Sequence, residues 1–301
     1  MTGAKERIGF VGLGIMGTPM AGHVLAGGHA VTAYDLDPAR VKALAAKGAK
    51  AAASPKEVAA ASDIVITMVP DSPDVERAIA GPEGVMQGAR RGAVVADMST
   101  ISPAVSKSLA ARLKARGVEM LDAPVTGGMV GAQTAALSIF VGGDAAVFER
   151  CLPVLRLMGK TVNYMGPAGM GHTAKLANQV LGMACMTGVA EALVFAKKAG
   201  LDLDTFIKAA SQGAAQSWHL EKTGPKIVAG DFAPGFMAKH MQKDLRLALE
   251  TAGELGVAMP STAVVAQLYR ALQARGPDAM SQGHHAIVQV IEQLANTEAR
   301  A

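Results

Sequence analysis

One stretch near the start limits this chain more than any other. Arg7-Ile8-Gly9-Phe10-Val11 is a short β-prone run that leads straight into Gly12-Leu13-Gly14-Ile15-Met16-Gly17 and then a helix-forming segment from Pro19 to Ala26. A strand, G-x-G-x-x-G and a helix in that order is the outline of a dinucleotide turn. Gly12 allows the tight turn, Gly14 lets backbone come close to a pyrophosphate, and Gly17 lets the helix pack on the strand. The helix N-terminus then faces the phosphates. A second strand, His29–Tyr34, ends in Asp35, 23 residues after Gly12. A carboxylate there can hydrogen-bond the ribose hydroxyls of NAD and repels the 2′-phosphate of NADP. NAD is therefore the expected cofactor. Arg40 leaves NADP open, although no arginine directly follows Asp35.

The alternation continues. Asp63–Val69 is an apolar run, as expected of a parallel strand covered on both faces. Val69 and Pro70 stand at its carboxyl end, where ligands of such sheets sit. Ala93–Met98 leads into Ser99 and Thr100, with Ser102 or Thr100 available to cap a helix from Pro103 to Arg116. Val118–Leu121, Leu137–Val141 and Thr161–Tyr164 are further strands, with a helix at 144–158. The pattern predicts an α/β, doubly wound Rossmann domain with a mainly parallel sheet over residues 1–165.

After Gly171 no convincing strand appears. Helices are expected at 172–199, 203–211, 218–228, 237–255, 261–273 and 282–295, separated by glycines. Residues 166–301 should thus form an all-α domain, joined to the first by the long helix itself. At about 28 residues that helix spans roughly 42 Å. Its apolar residues cover nearly all faces, which predicts burial nearly all round. Lys175 is the only acidic residue, lysine or arginine between Lys160 and Glu191. It either snorkels to solvent or does chemistry.

The whole-chain figures remove several function classes. With 301 residues, 50% of them apolar and 18% charged, two domains with large cores are affordable and disorder is not expected. A net charge of +4, scattered, and 4% aromatics argue against nucleic acid or an anionic membrane surface as partner. The apolar stretch Val180–Ala190 is too short and interrupted to span a bilayer, and no secretory leader is expected. Cys151 and Cys185 match no zinc or redox spacing and read as buried thiols of a cytoplasmic protein. The seven histidines form no metal motif, so no metal is expected; His284 and His285, as neighbours on a helix, should point apart. No G-x-S-x-G or P-loop is present. The helical half carries more apolar surface than one small domain can cover, which predicts a homodimer or homotetramer.

A nicotinamide cofactor implies hydride transfer and a protein group that moves a proton at the substrate oxygen. Lys175 suits that role in both directions, with Asn178 and Gln179 on its helix face. Thr126-Gly127-Gly128 offers backbone N–H groups and a hydroxyl that suit a carboxylate, or is a plain turn. Trp218 either walls a pocket or anchors the core, and Phe236 and His240 lie near Lys243.

Four motifs now stand in order: G-F-V-G-L-G-I-M-G-T-P-M at 9–20, D-A-P-V-T-G-G at 122–128, G-M-G-H-T-A-K-L-A-N-Q at 169–179 and K-D-L at 243–245. Over essentially its full length the chain resembles the β-hydroxyacid dehydrogenases. The resemblance implies Lys175 as catalytic lysine and Thr126, Gly127 and Gly128 as the carboxylate loop, with Thr126 where serine is commoner. It also implies Thr100 as a contact near the nicotinamide ribose and Lys243 as a lysine reaching over the cofactor. Many members read K-x-x-N-N, and here Gln179 replaces the second Asn. K-L-A-N-Q, with I-T-M-V-P-D-S-P and V-E-M-L-D-A-P-V, resembles the tartronate semialdehyde (2-hydroxy-3-oxopropionate) reductase branch. The segment at 234–245 is similar to serine- and hydroxyisobutyrate-oxidising members. Expected alternatives are therefore 3-hydroxyisobutyrate dehydrogenase, glyoxylate/succinic semialdehyde reductase or serine dehydrogenase, acting on a small carboxylate-bearing substrate. An imine reductase would lack Lys175, and a nucleotide-binding adaptor would need neither Lys175 nor the T-G-G loop.

Overall fold

A computed structural model describes residues 5–300. The chain divides into two compact units, Met1–Lys175 and Leu176–Ala301, and the division falls inside one long helix.

The first unit is built on a nine-stranded sheet: β1 (Ile8–Val11), β2 (Val31–Tyr34), β3 (Lys50–Ala51), β4 (Ile64–Thr67), β5 (Val94–Asp97), β6 (Glu119–Asp122), β7 (Val125–Thr126), β8 (Leu137–Gly142) and β9 (Gly159–Gly166). The order begins β3-β2-β1-β4-β5-β6, all parallel. β6 and β7 pair antiparallel with β8, and β9 pairs with β8 in parallel. The helices are α1 (Gly17–Ala26), α2 (Pro38–Ala45), α3 (Pro55–Ala60), α4 (Ser72–Ala80), α5 (Pro103–Lys114), α6 (Gly128–Gln133) and α7 (Ala145–Leu155). The central strands are apolar on both faces. Ile8, Phe10, Ile64, Ile66, Val94 and Ala96 enter one core layer, while Val11, Val65 and Val95 enter the other. Such doubly covered strands read as continuous apolar runs. Asp37, Ser54, Asp71, Ser102 and Asp144 cap the helices that follow them. The cap of α5 is thus Ser102, whose hydroxyl accepts the Ala104 N–H at 3.2 Å.

The register fixes a row of residues along the carboxyl ends of the strands. Val11 stands beside Tyr34 and Thr67, Thr67 beside Asp97, and Asp97 beside Asp122. The order reverses direction at β1, so the crevice for a ligand lies along this edge.

Helix α8 (Met170–Lys198) crosses from the first unit into the second. The second unit continues with α9 (Leu203–Ala210), α10 (Gly224–Val228), α11 (Ala238–Leu255), α12 (Pro260–Gln273), α13 (Pro277–Ser281) and α14 (Val288–Ala295). Its core gathers Met183, Met186, Leu193, Leu245, Tyr269 and Ile287. The expected helix at 218–228 opens as a π turn, His219–Thr223, because Pro225 has no N–H to continue the ladder. The one at 282–295 opens as a 3₁₀ turn, His284–Ile287. In that tighter turn the His284 and His285 rings do not point apart but meet edge to face, with centroids 5.6 Å apart.

The expectation of burial on nearly all faces of α8 does not hold. Ala177, Leu181, Ala184, Gly188, Glu191 and Phe195 form an exposed stripe at steps of three and four, with Leu181 at 68% and Phe195 at 75% exposure. Helical spacing and not composition decides which face is covered. By length and composition α8 could cross a bilayer, but half of its most apolar window is buried inside the protein. Trp218 is 65% exposed, so it is no core anchor. Cys151 is buried as expected, while Cys185 is only half-buried.

Candidate active site

The dinucleotide turn is held by Asp35. Its Oδ2 accepts the Leu13 N–H at 2.6 Å and its Oδ1 accepts the Asp37 N–H at 2.8 Å. The carboxylate at the end of β2 thereby shapes the glycine loop after β1. Leu13 is buried, and Ile15 is exposed on the outside of the turn. Gly12 adopts φ +96°, and a Cβ there would stand 2.3 Å from the Met68 carbonyl oxygen. At Gly17 a Cβ would meet the Gly12 carbonyl oxygen at 2.0 Å. At Gly14 a Cβ would meet only Arg40 Nη1, at 4.0 Å, so the turn's outer side is open. Helix α1 has Met16 at its N-cap position, with no side-chain cap and no acidic residue in its first turn. An uncapped helix N-terminus behind an open glycine turn suits an anion, and these residues fit a dinucleotide. Arg40 lies 3.7 Å from Asp35 Oδ1 and 3.3 Å from Asp37 Oδ2. A guanidinium therefore stands beside the Asp35 carboxylate.

The next strand ends are tied together. The Val69 N–H donates to Ser99 Oγ at 3.0 Å, joining the loop after β4, where Val69 and Pro70 lie, to the loop that carries Thr100. Beyond them the strand ends at Thr67, Asp97 and Asp122 are polar and buried. The Thr67 hydroxyl donates to Asp97 Oδ1 at 2.6 Å. The Asp97 Oδ2 lies 3.3 Å from His172 Nε2, both side chains at 0% exposure. The Asp122 Oδ1 and Oδ2 accept the Gly169 and His172 N–H groups at 2.7 and 2.9 Å. A buried carboxylate that takes two N–H groups at a helix start also faces the positive end of the helix dipole. Asp122 thus anchors the first turn of α8. Lys175 follows one turn later, only 5% exposed. The snorkelling expected of a helix-end lysine is not seen.

Thr126 is half-buried at the end of β7. Gly127 at φ +125° and Gly128 at φ +60° carry the turn into α6, a backbone course that side chains rarely adopt. Two N–H groups and a hydroxyl grouped this way can receive a carboxylate.

In the second unit Asn178, Gln179, Asp244 and Lys243 form a chain. The Asn178 amide donates to Gln179 Oε1 at 3.1 Å, and the Gln179 amide donates to Asp244 Oδ2 at 2.7 Å. Lys243 Nζ stands 3.0 Å from Asp244 Oδ1. Phe236 and His240 pack ring to ring at 5.9 Å on the same segment. Burial, and then Lys243, hold the His240 ring below its ordinary pKa. Asp97, Asp122, His172 and Asp244 escaped the sequence reading. A legible signal existed for two of them, since Asp97 and Asp122 each terminate an apolar strand. Among the described residues no group of three histidine, cysteine or acidic side chains could hold a metal.

Comparison with known proteins agrees with this fold. A family profile described as the NAD binding domain of 6-phosphogluconate dehydrogenase matches residues 7–166. One described as the NAD-binding region of NADP-dependent 3-hydroxyisobutyrate dehydrogenase matches residues 169–291. The chain is 41% identical to the 2-hydroxy-3-oxopropionate reductase of Escherichia coli (strain K12), over 96% of this chain and 98% of that protein. It is 39% identical to the 2-(hydroxymethyl)glutarate dehydrogenase of Eubacterium barkeri, over 96% and 95%. Among solved structures, Mycobacterium tuberculosis 3-hydroxyisobutyrate dehydrogenase with L-serine has a TM-score of 0.88 at 32% identity, covering 96% of this chain and 99% of that one.

Proposed function

The chain belongs to the β-hydroxyacid dehydrogenase family, oxidoreductases that use NAD(P), and on that premise we propose that it reduces 2-hydroxy-3-oxopropionate to D-glycerate. The observation that carries this reading is Lys175, a buried lysine on a helix start that Asp122 anchors. The nicotinamide, when bound, supplies the hydride that goes to the aldehyde carbon. Lys175, as ammonium, polarises the carbonyl oxygen and gives it a proton; as amine it takes the proton back in the reverse direction. The Thr126 hydroxyl and the N–H groups of Gly127 and Gly128 hold the substrate carboxylate. Asn178 orients substrate and Lys175, and Gln179 and Asp244 hold Asn178 and Lys243 in place. Gly12–Gly17, Asp35, Val69, Pro70, Thr100 and Lys243 serve the cofactor, with NAD preferred through Asp35.

The likeness to the mycobacterial enzyme with L-serine favours one second reading, oxidation of a 3-hydroxy acid such as 3-hydroxyisobutyrate or serine. Rates with both cofactors over tartronate semialdehyde, methylmalonate semialdehyde, succinic semialdehyde, glyoxylate, 3-hydroxyisobutyrate, glycerate and serine decide between them. The first reading requires kcat/KM for tartronate semialdehyde with NADH to exceed every other by at least about tenfold. The exposed stripe of α8 supports assembly with a second copy of the chain.

A further inference from the structure

Asp35 is not left to a ribose alone. Both of its oxygens already take backbone N–H groups, from Leu13 and Asp37, and its side chain is only 9% exposed. Arg40 then stands between Asp35 and Asp37. Its Nη1 lies 3.7 Å from Asp35 Oδ1 and its Nε 3.3 Å from Asp37 Oδ2, with half of the side chain exposed. Both contacts are ion pairs without hydrogen-bond geometry. Two carboxylates thus hold the planar fork in place by charge, while its N–H donors stay uncommitted among the described residues.

The place of Arg40 is not explained by its own helix. Asp37 caps α2 and Pro38 opens it, so Arg40 falls in the first turn. The positive end of a helix dipole disfavours a cation there. The side chain instead reaches back to the dinucleotide turn. Among the described residues, Arg40 Nη1 is the one atom beyond the chain neighbours of Gly14 that comes within 4.0 Å of a Cβ built there. A guanidinium at that point joins the start of α2, the end of β2 and the open side of the glycine turn.

The chemistry that suits such a group is a phosphate on the ribose hydroxyl that a carboxylate in the place of Asp35 reads. Asp35 and Asp37 without a cation would repel it. A rigid fork with spare donors matches phosphate oxygens two at a time, which an ammonium does not. We propose that Arg40 is a cofactor-specificity residue: it offsets the two carboxylates and receives a 2′-phosphate, so that the chain takes NADP as well as NAD. Asp35 favours one cofactor and Arg40 keeps the other within reach. The proposal rests on Gly12–Gly17 and Asp35 serving the dinucleotide.

The test is calorimetric and needs no turnover. Kd values for NADH, NADPH, 5′-AMP and adenosine 2′,5′-bisphosphate are measured on the full-length parent, Arg40→Gln and Arg40→Lys. The parent should bind the bisphosphate within about tenfold of AMP, and NADPH within about tenfold of NADH. In Arg40→Gln both ratios should move at least about fivefold against the 2′-phosphate, the upper range for an exposed ion pair, with AMP and NADH held within about twofold. Arg40→Lys keeps the charge without the fork and should stand between the two. A parent that binds AMP and NADH but falls outside the tenfold limit overturns the proposal. So does a smaller change of ratio in Arg40→Gln, including an equal loss for all four ligands, which is what a purely structural arginine would give. Arg40→Lys ratios as poor as those of Arg40→Gln overturn it as well. A folded parent that binds neither AMP nor NADH instead overturns the dinucleotide reading of the glycine turn beneath it.

Discussion

Replacing Asp122 by asparagine changes a single atom and isolates what the carboxylate does. Asp122 is 1% exposed and receives the Gly169 and His172 N–H groups at 2.7 and 2.9 Å. Hydrogen bonds to a charged group are worth about 1.5–3 kcal/mol each. Asparagine keeps one carbonyl acceptor and turns an NH₂ group toward the second N–H, so one bond is lost and two donors face each other. The expected cost is about 2–3 kcal/mol, and about 3–5 kcal/mol for alanine, which loses both. For a unit of this size roughly 2–4 °C accompanies each kcal/mol, so the first unit of Asp122→Asn should melt about 5–10 °C lower. Thermal unfolding measures the total, and hydrogen exchange at the Gly169 and His172 amides reads the loss where it occurs. The turnover number should fall too, because the helix start that precedes Lys175 loosens. A melting point within about 1 °C of the parent with unchanged amide protection would refute this reasoning.

Four further outcomes follow from the same geometry. Burial holds His219 down to about 4 and His284 to about 3 in the folded chain. Both rings are then taken up neutral, while the unfolded chain binds protons near pH 6.5. Stability should be level above pH 7 and fall as pH drops from about 6.5 toward 4; urea midpoints across that range check it, and a His284→Met variant with an equal slope would contradict it. Asp35→Ala should shift the NAD-to-NADP ratio of kcat/KM at least about tenfold toward NADP, read from initial rates. The proposed pairing of copies through the exposed apolar stripe of α8 predicts that Leu181→Glu, which puts a charge on it, runs as a monomer by light scattering while the parent does not. Cys151, buried with its thiol pushed up to about 12, should resist alkylation in the folded protein, whereas half-buried Cys185 should react first under mass spectrometry.

What could be read from the chain follows the range of the interactions. The dinucleotide turn, the apolar strands and the change to an all-helical pattern after Gly171 are local, because each is written in neighbouring residues. The strands Lys50–Ala51 and Val125–Thr126 are two residues long and carry no period of their own; pairing with β2 and β8 makes them. The Asp97–His172 pair joins residues 75 apart in sequence, and only the register of β5 with β6 and the turn before α8 bring them together. Gln179 was legible as a departure from the family pattern, but its partner Asp244 lies on another helix. The exposed stripe on α8 is not legible in composition, because apolar residues imply burial only where a neighbouring element covers them, and half of that face consists of small residues.

The central claim is that Lys175 moves the proton. Single-turnover reduction of tartronate semialdehyde by Lys175→Met with bound NADH tests it most directly. Removing a general acid costs 10²–10⁴-fold, so the step should slow at least about a hundredfold. NADH should bind within twofold of the parent, which shows that the cofactor site stays formed while the proton donor is gone. A folded Lys175→Met protein that turns over at the parental rate would contradict the account.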